Sequence, residues 1–200
     1  MMNLIDTHFH LDHYKNYLEM ARNITELKQY TICVTNSPGV FWTCKNQITE
    51  TKYLKFAIGF HPQESTLDEN DIKDFMRLIM LTNYIGEVGL DYSAKSYMDK
   101  QLQLRFFEQI VELCASENKL MTIHIRGAEE DAIRILAKYN PQKAIVHWYT
   151  GNRDHMLKLV DLGCYFSSLL RDAYDEISVF YKNFDMISNI YENFKRILSV

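Results

Sequence analysis

Short apolar runs recur along the chain, each followed by a stretch in which apolar residues return every third or fourth position. The runs fall at residues 3–8, 30–35, 55–60, 84–89, 120–124, 143–148, 164–168 and 196–200. They are brief and rich in Ile, Val and aromatics, the composition of strands buried on both faces of a parallel sheet. Between them, Tyr17, Leu18, Ala21, Ile24 and Leu27 make a helical stripe, as do Ile72, Phe75, Met76 and Ile79. Asp68, Glu69 and Asp71 open the second of these, where negative charge complements the helix dipole. The longest predicted helix covers 99–119, with Leu102, Phe106, Ile110, Leu113 and Cys114 on one face. Ala132, Ile135, Leu136 and Tyr139 make another, closed by Asn140-Pro141. Met156, Leu157 and Val160 make the next, with Gly163 as its cap, and Ile177, Phe180, Phe184 and Ile187 continue the pattern.

Strands alternating with helices imply a parallel sheet with right-handed crossovers. Eight strands and about seven helices point to an α/β fold of the (β/α)8 TIM barrel type rather than an open doubly wound sheet. The 200 residues are few for that fold, which takes about 250. The last predicted strand also ends the sequence. The expectation is one domain over 1–200, a barrel truncated in or after its eighth strand.

Composition narrows the class. With 47% hydrophobic and 24% charged residues, the chain can bury a sizeable core. Seven Gly and three Pro argue against long linkers. No run approaches the roughly 18 apolar residues of a membrane span, and the N-terminus lacks the pattern of a signal peptide. Cys33, Cys44, Cys114 and Cys164 are scattered, as in reduced, mostly buried thiols of a cytoplasmic protein. The net charge of −4 argues against a passive DNA-binding module. It weighs less against a metal enzyme, because bound cations bring positive charge of their own.

The ionisable residues carry the chemistry. His8 and His10, two apart on the first strand, point to the same side. They read either as half of a metal site or as two partly buried, hydrogen-bonded histidines. Five of the seven histidines (His8, His10, His61, His124 and His147) fall at or just after the C-terminal end of a predicted strand. That is the face where such barrels carry their active sites. Glu87 reaches the same face at the end of the fourth strand. His13 and His155 read as loop or surface residues, with His13 near enough to the rim to meet a substrate. Singly, His124 reads equally as a satisfied core histidine, and Glu87 as a cap or a partner of Arg126. Together, a buried carboxylate among imidazoles asks for a cation. Such nitrogen and oxygen donors suit zinc, manganese or iron(II), and magnesium less well. A carboxylate bridging two ions about 3.5–4 Å apart would form the clamp used in phosphoryl displacement.

In family order, the chain carries Asp6-Thr7-His8-Phe9-His10-Leu11-Asp12, Gly59-Phe60-His61-Pro62, Gly86-Glu87-Val88-Gly89-Leu90-Asp91, His124-Ile125-Arg126 and His147-Trp148-Tyr149-Thr150-Gly151. These motifs resemble the TatD family of metal-dependent deoxyribonucleases, in the amidohydrolase superfamily. Gln101, Phe107 and Gln109 resemble that family's helix before the fifth strand. The resemblance implies divalent ions, one or two per chain (Mg²⁺, Mn²⁺ or Zn²⁺). It implies His8 and His10 on one ion, Glu87 as bridge, and His124 and His147 on the second. His61 and Arg126 would line the site and meet a phosphate, making them and Glu87 the catalytic set, while Asp91 would orient its neighbours. A further family ligand, an aspartate ending the eighth strand, follows a run like Arg196-Ile197-Leu198-Ser199-Val200, where the sequence stops. A narrower likeness, at Thr35-Asn36-Ser37-Pro38-Gly39, His61-Pro62-Gln63 and Trp148-Tyr149, is to the TatD-type component of Qat anti-phage defence systems.

The expected function is hydrolysis of DNA, probing single strands from the 3′ end, with Trp148 and Tyr149 binding substrate. The expected partners are that DNA and proteins of a defence system, with no membrane. Phe9 and Phe60 read as base-stacking or as packing at the barrel mouth. Two other readings stand beside this one. A small-molecule amidohydrolase would use similar metal chemistry, but many such relatives carry a carboxylated lysine where this chain has Glu87. A catalytically impaired barrel kept as a binding subunit is favoured by the missing aspartate and the net acidic charge.

Overall fold

Each strand pairs in parallel with the next one in the chain, except at one seam within the third predicted strand. The computed structural model describes residues 5–166. The predicted helix around 177–187, the predicted strand at 196–200 and positions 167–168 lie outside them. The strands are β1 (Ile5–Phe9), β2 (Tyr30–Cys33), β3 (Leu54–Phe56), β4 (Ile58–Phe60), β5 (Tyr84–Asp91), β6 (Leu120–Arg126), β7 (Ala144–His147) and β8 (Tyr165–Phe166). The helices are α1 (Tyr17–Glu26), α2 (Pro38–Gln47), α3 (Glu69–Leu78), α4 (Lys100–Ser116), α5 (Glu129–Tyr139) and α6 (Arg153–Asp161). The described strands run in order β1-β2-β3 and β4-β5-β6-β7-β8.

The predicted strand at 55–60 is thus two strands. Ala57 divides it, so that β3 pairs with β2 and β4 pairs with β5. Thr35, just past β2, stitches the halves together. Its N–H donates to the Gly86 carbonyl (3.0 Å), and its own carbonyl accepts from the Glu87 N–H (2.8 Å). Its hydroxyl donates to the Ala57 carbonyl (3.0 Å) and accepts from the Gly59 N–H (3.1 Å). A Cβ on Gly59 would lie 1.5 Å from the Thr35 carbonyl oxygen, so this close approach admits only glycine.

Helix boundaries follow local chemistry. Asp68 makes a capping box with Asp71 at the start of α3, which buries Phe75 and Leu78. Asp99 caps α4, whose buried face carries Gln103, Phe106, Phe107, Ile110, Val111 and Cys114. Asn140, left-handed at φ 50°, ends α5, and Gly163, at φ 79°, follows α6. No amphipathic stripe announces α2, since only Pro38 and Phe41 are buried in it. Its signal is the Ser37 hydroxyl accepting from the Val40 N–H (3.2 Å), with proline in the first turn.

Most of the buried apolar side chains, including Phe41, Phe56, Phe75, Phe106, Phe107 and Leu136, form one continuous core. Burying each such side chain contributes about 1.5–3 kcal/mol. A smaller cluster gathers Ile32, Val34, Ala57, Leu120 and Ile145, with Tyr30 and Tyr84 packed against it. Those two tyrosines share a 2.7 Å hydroxyl contact at the N-terminal ends of β2 and β5, opposite the end that bears the histidines. Among the described residues, the cysteines are all free thiols and no helix is long and apolar enough to cross a membrane.

Candidate metal centre

The C-terminal strand ends bring four histidines around one carboxylate. Glu87 is 6% exposed and projects from an irregularity in the β5 ladder between Ile85 and Val88. The β1 ladder shifts in the same way between Asp6 and Phe9, beside His8. Such irregularities turn a side chain out of the regular alternation. The Glu87 Oε2 lies 3.6 Å from His8 Nε2, 3.8 Å from His10 Nε2 and 3.7 Å from His61 Nε2. Its Oε1 lies 3.4 Å from His124 Nδ1. All these separations exceed the roughly 2.7–3.2 Å of an N–H···O hydrogen bond.

His8 and His10 converge as expected, with their Nε2 atoms 3.3 Å apart. Two nitrogens and a carboxylate oxygen at such spacings can share one ion about 2.0–2.1 Å from each. The His147 ring stacks on that of His8 at 3.3 Å, and His8, Glu87 and His147 bring one donor atom each within 4.8 Å of one another. His147 sits level with His124 across the β6–β7 ladder. The Nδ1 atoms of His8 and His10 are buried without a protein hydrogen bond. The donor set and its spacing therefore fit a divalent ion bound by nitrogen and oxygen.

Electrostatics favours the ligand-ready forms. Burial pushes His8 down to about 3 and His61 down to about 4, in both cases against the pull of Glu87. Burial also lowers His147. These imidazoles are neutral at pH 7, the form that binds metal. Burial opposes the charge on Glu87, but the facing His10 and His124, with His61 and His8, outweigh it and hold the carboxyl well below its usual range. His124 goes the other way. Burial lowers it, yet Glu87 and Asp91 together raise it.

Two residues behind the ring set its orientation. Asp91 has no exposed surface, and its Oδ2 lies 3.0 Å from His124 Nε2. That contact leaves Nδ1 of His124 facing Glu87. Asp91 also accepts from Gln63 Nε2 and from the Ser93 N–H (2.7 Å). Gln103, buried on α4, accepts from the Asp91 N–H (2.8 Å) and donates to its carbonyl (3.0 Å). The sequence reading met Gln63 only within the His61-Pro62-Gln63 likeness, without this role, and missed Gln103, because an amide has no metal-ligand or acid–base signature of its own. The Gln63 N–H donates to His61 Nδ1 (3.1 Å), so neutral His61 carries its proton on Nε2. In that tautomer His61 presents an N–H toward the site, and one donor atom each of His61, Glu87 and His124 also lies within 4.8 Å of the other two, so the geometry admits His61 as donor or as ligand.

The substrate-facing residues divide. Arg126 ends β6, exposed and two positions beyond His124, and among the described residues it has no carboxylate partner. Trp148 is 63% exposed, next to His147, and held at φ 43°, a conformation bulky residues rarely adopt. Tyr149 corrects the expectation of a base-binding residue. It is 3% exposed, packs on Phe166, and donates its hydroxyl to the Asn152 carbonyl (3.0 Å). Phe60 likewise packs inward, on Phe106. Phe9 stacks on Tyr14. His155 lies 4.0 Å from Glu130, outside the ring of side chains around Glu87.

Comparisons with known proteins give the family and the fold. A family model described as "TatD related DNase" matches residues 5–171. An uncharacterized metal-dependent hydrolase of Buchnera aphidicola is 30% identical over 83% of this chain and 69% of its own length. "Deoxyribonuclease Tat-D" of Schizosaccharomyces pombe is 35% identical over 40% of this chain and 27% of its own. The human "3'-5' RNA nuclease TATDN2" is 27% identical over 74% of this chain and 22% of its own. The crystal structure of YjjV, a TatD homologue from Escherichia coli, superposes with a TM-score of 0.68 at 18% identity, covering 82% of this chain and 67% of that one. That likeness gives the described residues a TIM-barrel-like α/β fold. The chain spans about two thirds of the length of the bacterial relatives it matches.

Proposed function

The chain belongs to the TatD-related DNase family, and on that premise we propose that it is a metal-dependent phosphodiesterase acting on DNA. The observation that carries this reading is the buried Glu87, faced by four imidazole nitrogens at 3.4–3.8 Å. His8, His10, Glu87, His124 and His147 would hold one or two divalent ions. When bound, such ions supply Lewis-acid polarisation of a phosphoryl group and bring the pKa of a water towards about 7.

The protein groups do the rest. The Nε2–H of His61 and the guanidinium of Arg126 stabilise charge on the non-bridging phosphate oxygens. Asp91 holds the His124 ring so that Nδ1 keeps its lone pair toward the site. The exposed indole of Trp148 stacks on a base, a contact that tolerates any sequence.

The finer assignments are part of the proposal. DNA as substrate is supported by the name of the fission-yeast relative, and attack from a 3′ end by that of the human one. Single strands suit one exposed stacking surface beside the site. A place in anti-phage defence is supported by the short likeness at Thr35-Asn36-Ser37-Pro38-Gly39 and Trp148-Tyr149.

The test is hydrolysis of end-labelled single-stranded DNA with added Mg²⁺, Mn²⁺ or Zn²⁺, paired with elemental analysis of bound metal. Glu87→Ala is expected to abolish metal-dependent cleavage and to lower metal content. Full cleavage by Glu87→Ala would overturn the assignment.

A further inference from the structure

A second group of donors lies beside the first, in the turn that leaves β1. Residues Leu11–His13 form one 3-10 turn, anchored by the fully buried Leu11. The turn is closed by the His13 N–H donating to the His10 carbonyl (3.3 Å). It folds His13 back over His10, so that the two rings stack with centroids 4.5 Å apart and planes 6° from parallel. Asp12 stands between them in sequence. One donor atom each from His10, Asp12 and His13 lies within 4.8 Å of the other two.

Two features set this turn apart from an ordinary polar loop. Asp12 Oδ1 and His10 Nδ1 are both buried without a protein hydrogen bond. An unmatched buried carboxylate oxygen is costly, and a turn that keeps one has a use for a cation. The Asp12 Oδ2 to His13 Nε2 separation of 3.8 Å is too long for a hydrogen bond. It is a distance that an ion about 2.0–2.1 Å from each atom can span.

We propose that His10, Asp12 and His13 form an outer divalent-metal site at the mouth, distinct from the ring around Glu87. Two imidazoles and one carboxylate select a zinc-class ion over magnesium. Three protein ligands leave at least one coordination position open. His13 is exposed, so that position faces solvent. His10 belongs to both groups, so with both ions bound it would bridge them as an imidazolate, its ring proton released to solvent, and the exposed His13 ring would turn out of its parallel stack to aim a nitrogen at the outer ion. The inference stands on the geometry of the turn and does not depend on the nuclease reading.

The experiment counts metal rather than turnover. The full chain, His13→Ala and Glu87→Ala are each dialysed against Zn²⁺ and assayed by elemental analysis, with Co²⁺ absorption as a second readout. Thermal melts confirm that the exposed His13→Ala variant is folded. The expected result is one zinc fewer in His13→Ala than in the parent, or at least tenfold weaker binding of the last zinc. The Co²⁺ band of the inner centre should be unchanged in that variant. Glu87→Ala should lose inner metal while still binding zinc in a His13-dependent way. Equal stoichiometry and affinity in parent and His13→Ala would overturn the outer site, as would binding of Mg²⁺ there in preference to Zn²⁺.

Discussion

The Nε2 of His124 lies 3.0 Å from Oδ2 of Asp91, a carboxylate with no exposed surface. The other ring nitrogen faces Glu87 at 3.4 Å. A ligating histidine whose second nitrogen donates to a carboxylate is fixed in tautomer and raised in basicity. Asp91→Asn keeps the shape but removes the charge, while Gln103 still clamps the backbone of residue 91. The expected outcome is a fold that melts normally and a metal affinity lower by about 10–100-fold, read by competition with a chelating dye. Unchanged affinity would make Asp91 a purely structural group.

His61 offers a sharper distinction between ligand and donor. Because the Gln63 N–H occupies its Nδ1, the Nε2 proton points toward Glu87, where the proposed reading puts a substrate phosphate. His61→Gln retains an N–H near that position, whereas His61→Ala does not. Turnover should fall by about 10²-fold or more in His61→Ala and recover in part in His61→Gln. Bound metal, measured by elemental analysis, should be equal in both. Metal loss in either variant would turn His61 into a ligand.

The adjacent aromatics should separate cleanly. Trp148→Ala removes an exposed indole, and its expected effect is about 1–3 kcal/mol weaker binding of single-stranded DNA with little change in Tm. Tyr149→Phe removes a hydroxyl that donates to the Asn152 carbonyl. It should cost about 1 kcal/mol of stability and leave DNA binding unchanged. Fluorescence titration and thermal melts check both, and the reverse pattern would exchange their roles.

The metal-free protein should weaken in mild acid. His8 sits at about 3 and His61 at about 4 when folded, against 6.5 for an exposed imidazole. Between those values the unfolded chain binds more protons, so stability rises with pH up to about 6.5 and levels off above it. His124, raised in the folded state, acts with the opposite sign, favouring the fold below 6.5 and losing that effect as pH climbs through its folded value. Two lowered groups against one raised group, with His147 also lowered, give a net loss on acidification. Melts in chelator from pH 4 to 8 should show it, and a flat profile would contradict the neutral, buried state of these rings.

The strand ends and their histidines were legible because a buried parallel strand is a bare apolar run, and an imidazole at its end stands out. The pairing of His8 with His10 followed from the period of two. Helix α2 escaped because it buries only Pro38 and Phe41, and so leaves no stripe. The break at Ala57 escaped because one apolar run, 55–60, serves two ladders, and only the pairing partners tell the halves apart. Tyr149 looked like its exposed neighbour because period and composition do not register the left-handed turn at Trp148. Glu87 was placed at a strand end, whereas β5 runs on to Asp91 and an irregularity turns the carboxylate out from its middle.

The seam beside Ala57 gives the candidate metal centre a mechanical meaning. His8 and His10 ride on the ladder of β1, β2 and β3, while Glu87, His124 and His147 ride on the ladder that begins with β4. An ion held by both sets is a clasp across that join. By linkage, binding such an ion would add to the free energy needed to part the two ladders. Chelation would then lower the melting temperature, and the Thr35 hydrogen bonds are what would hold the two ladders together once the ion is gone.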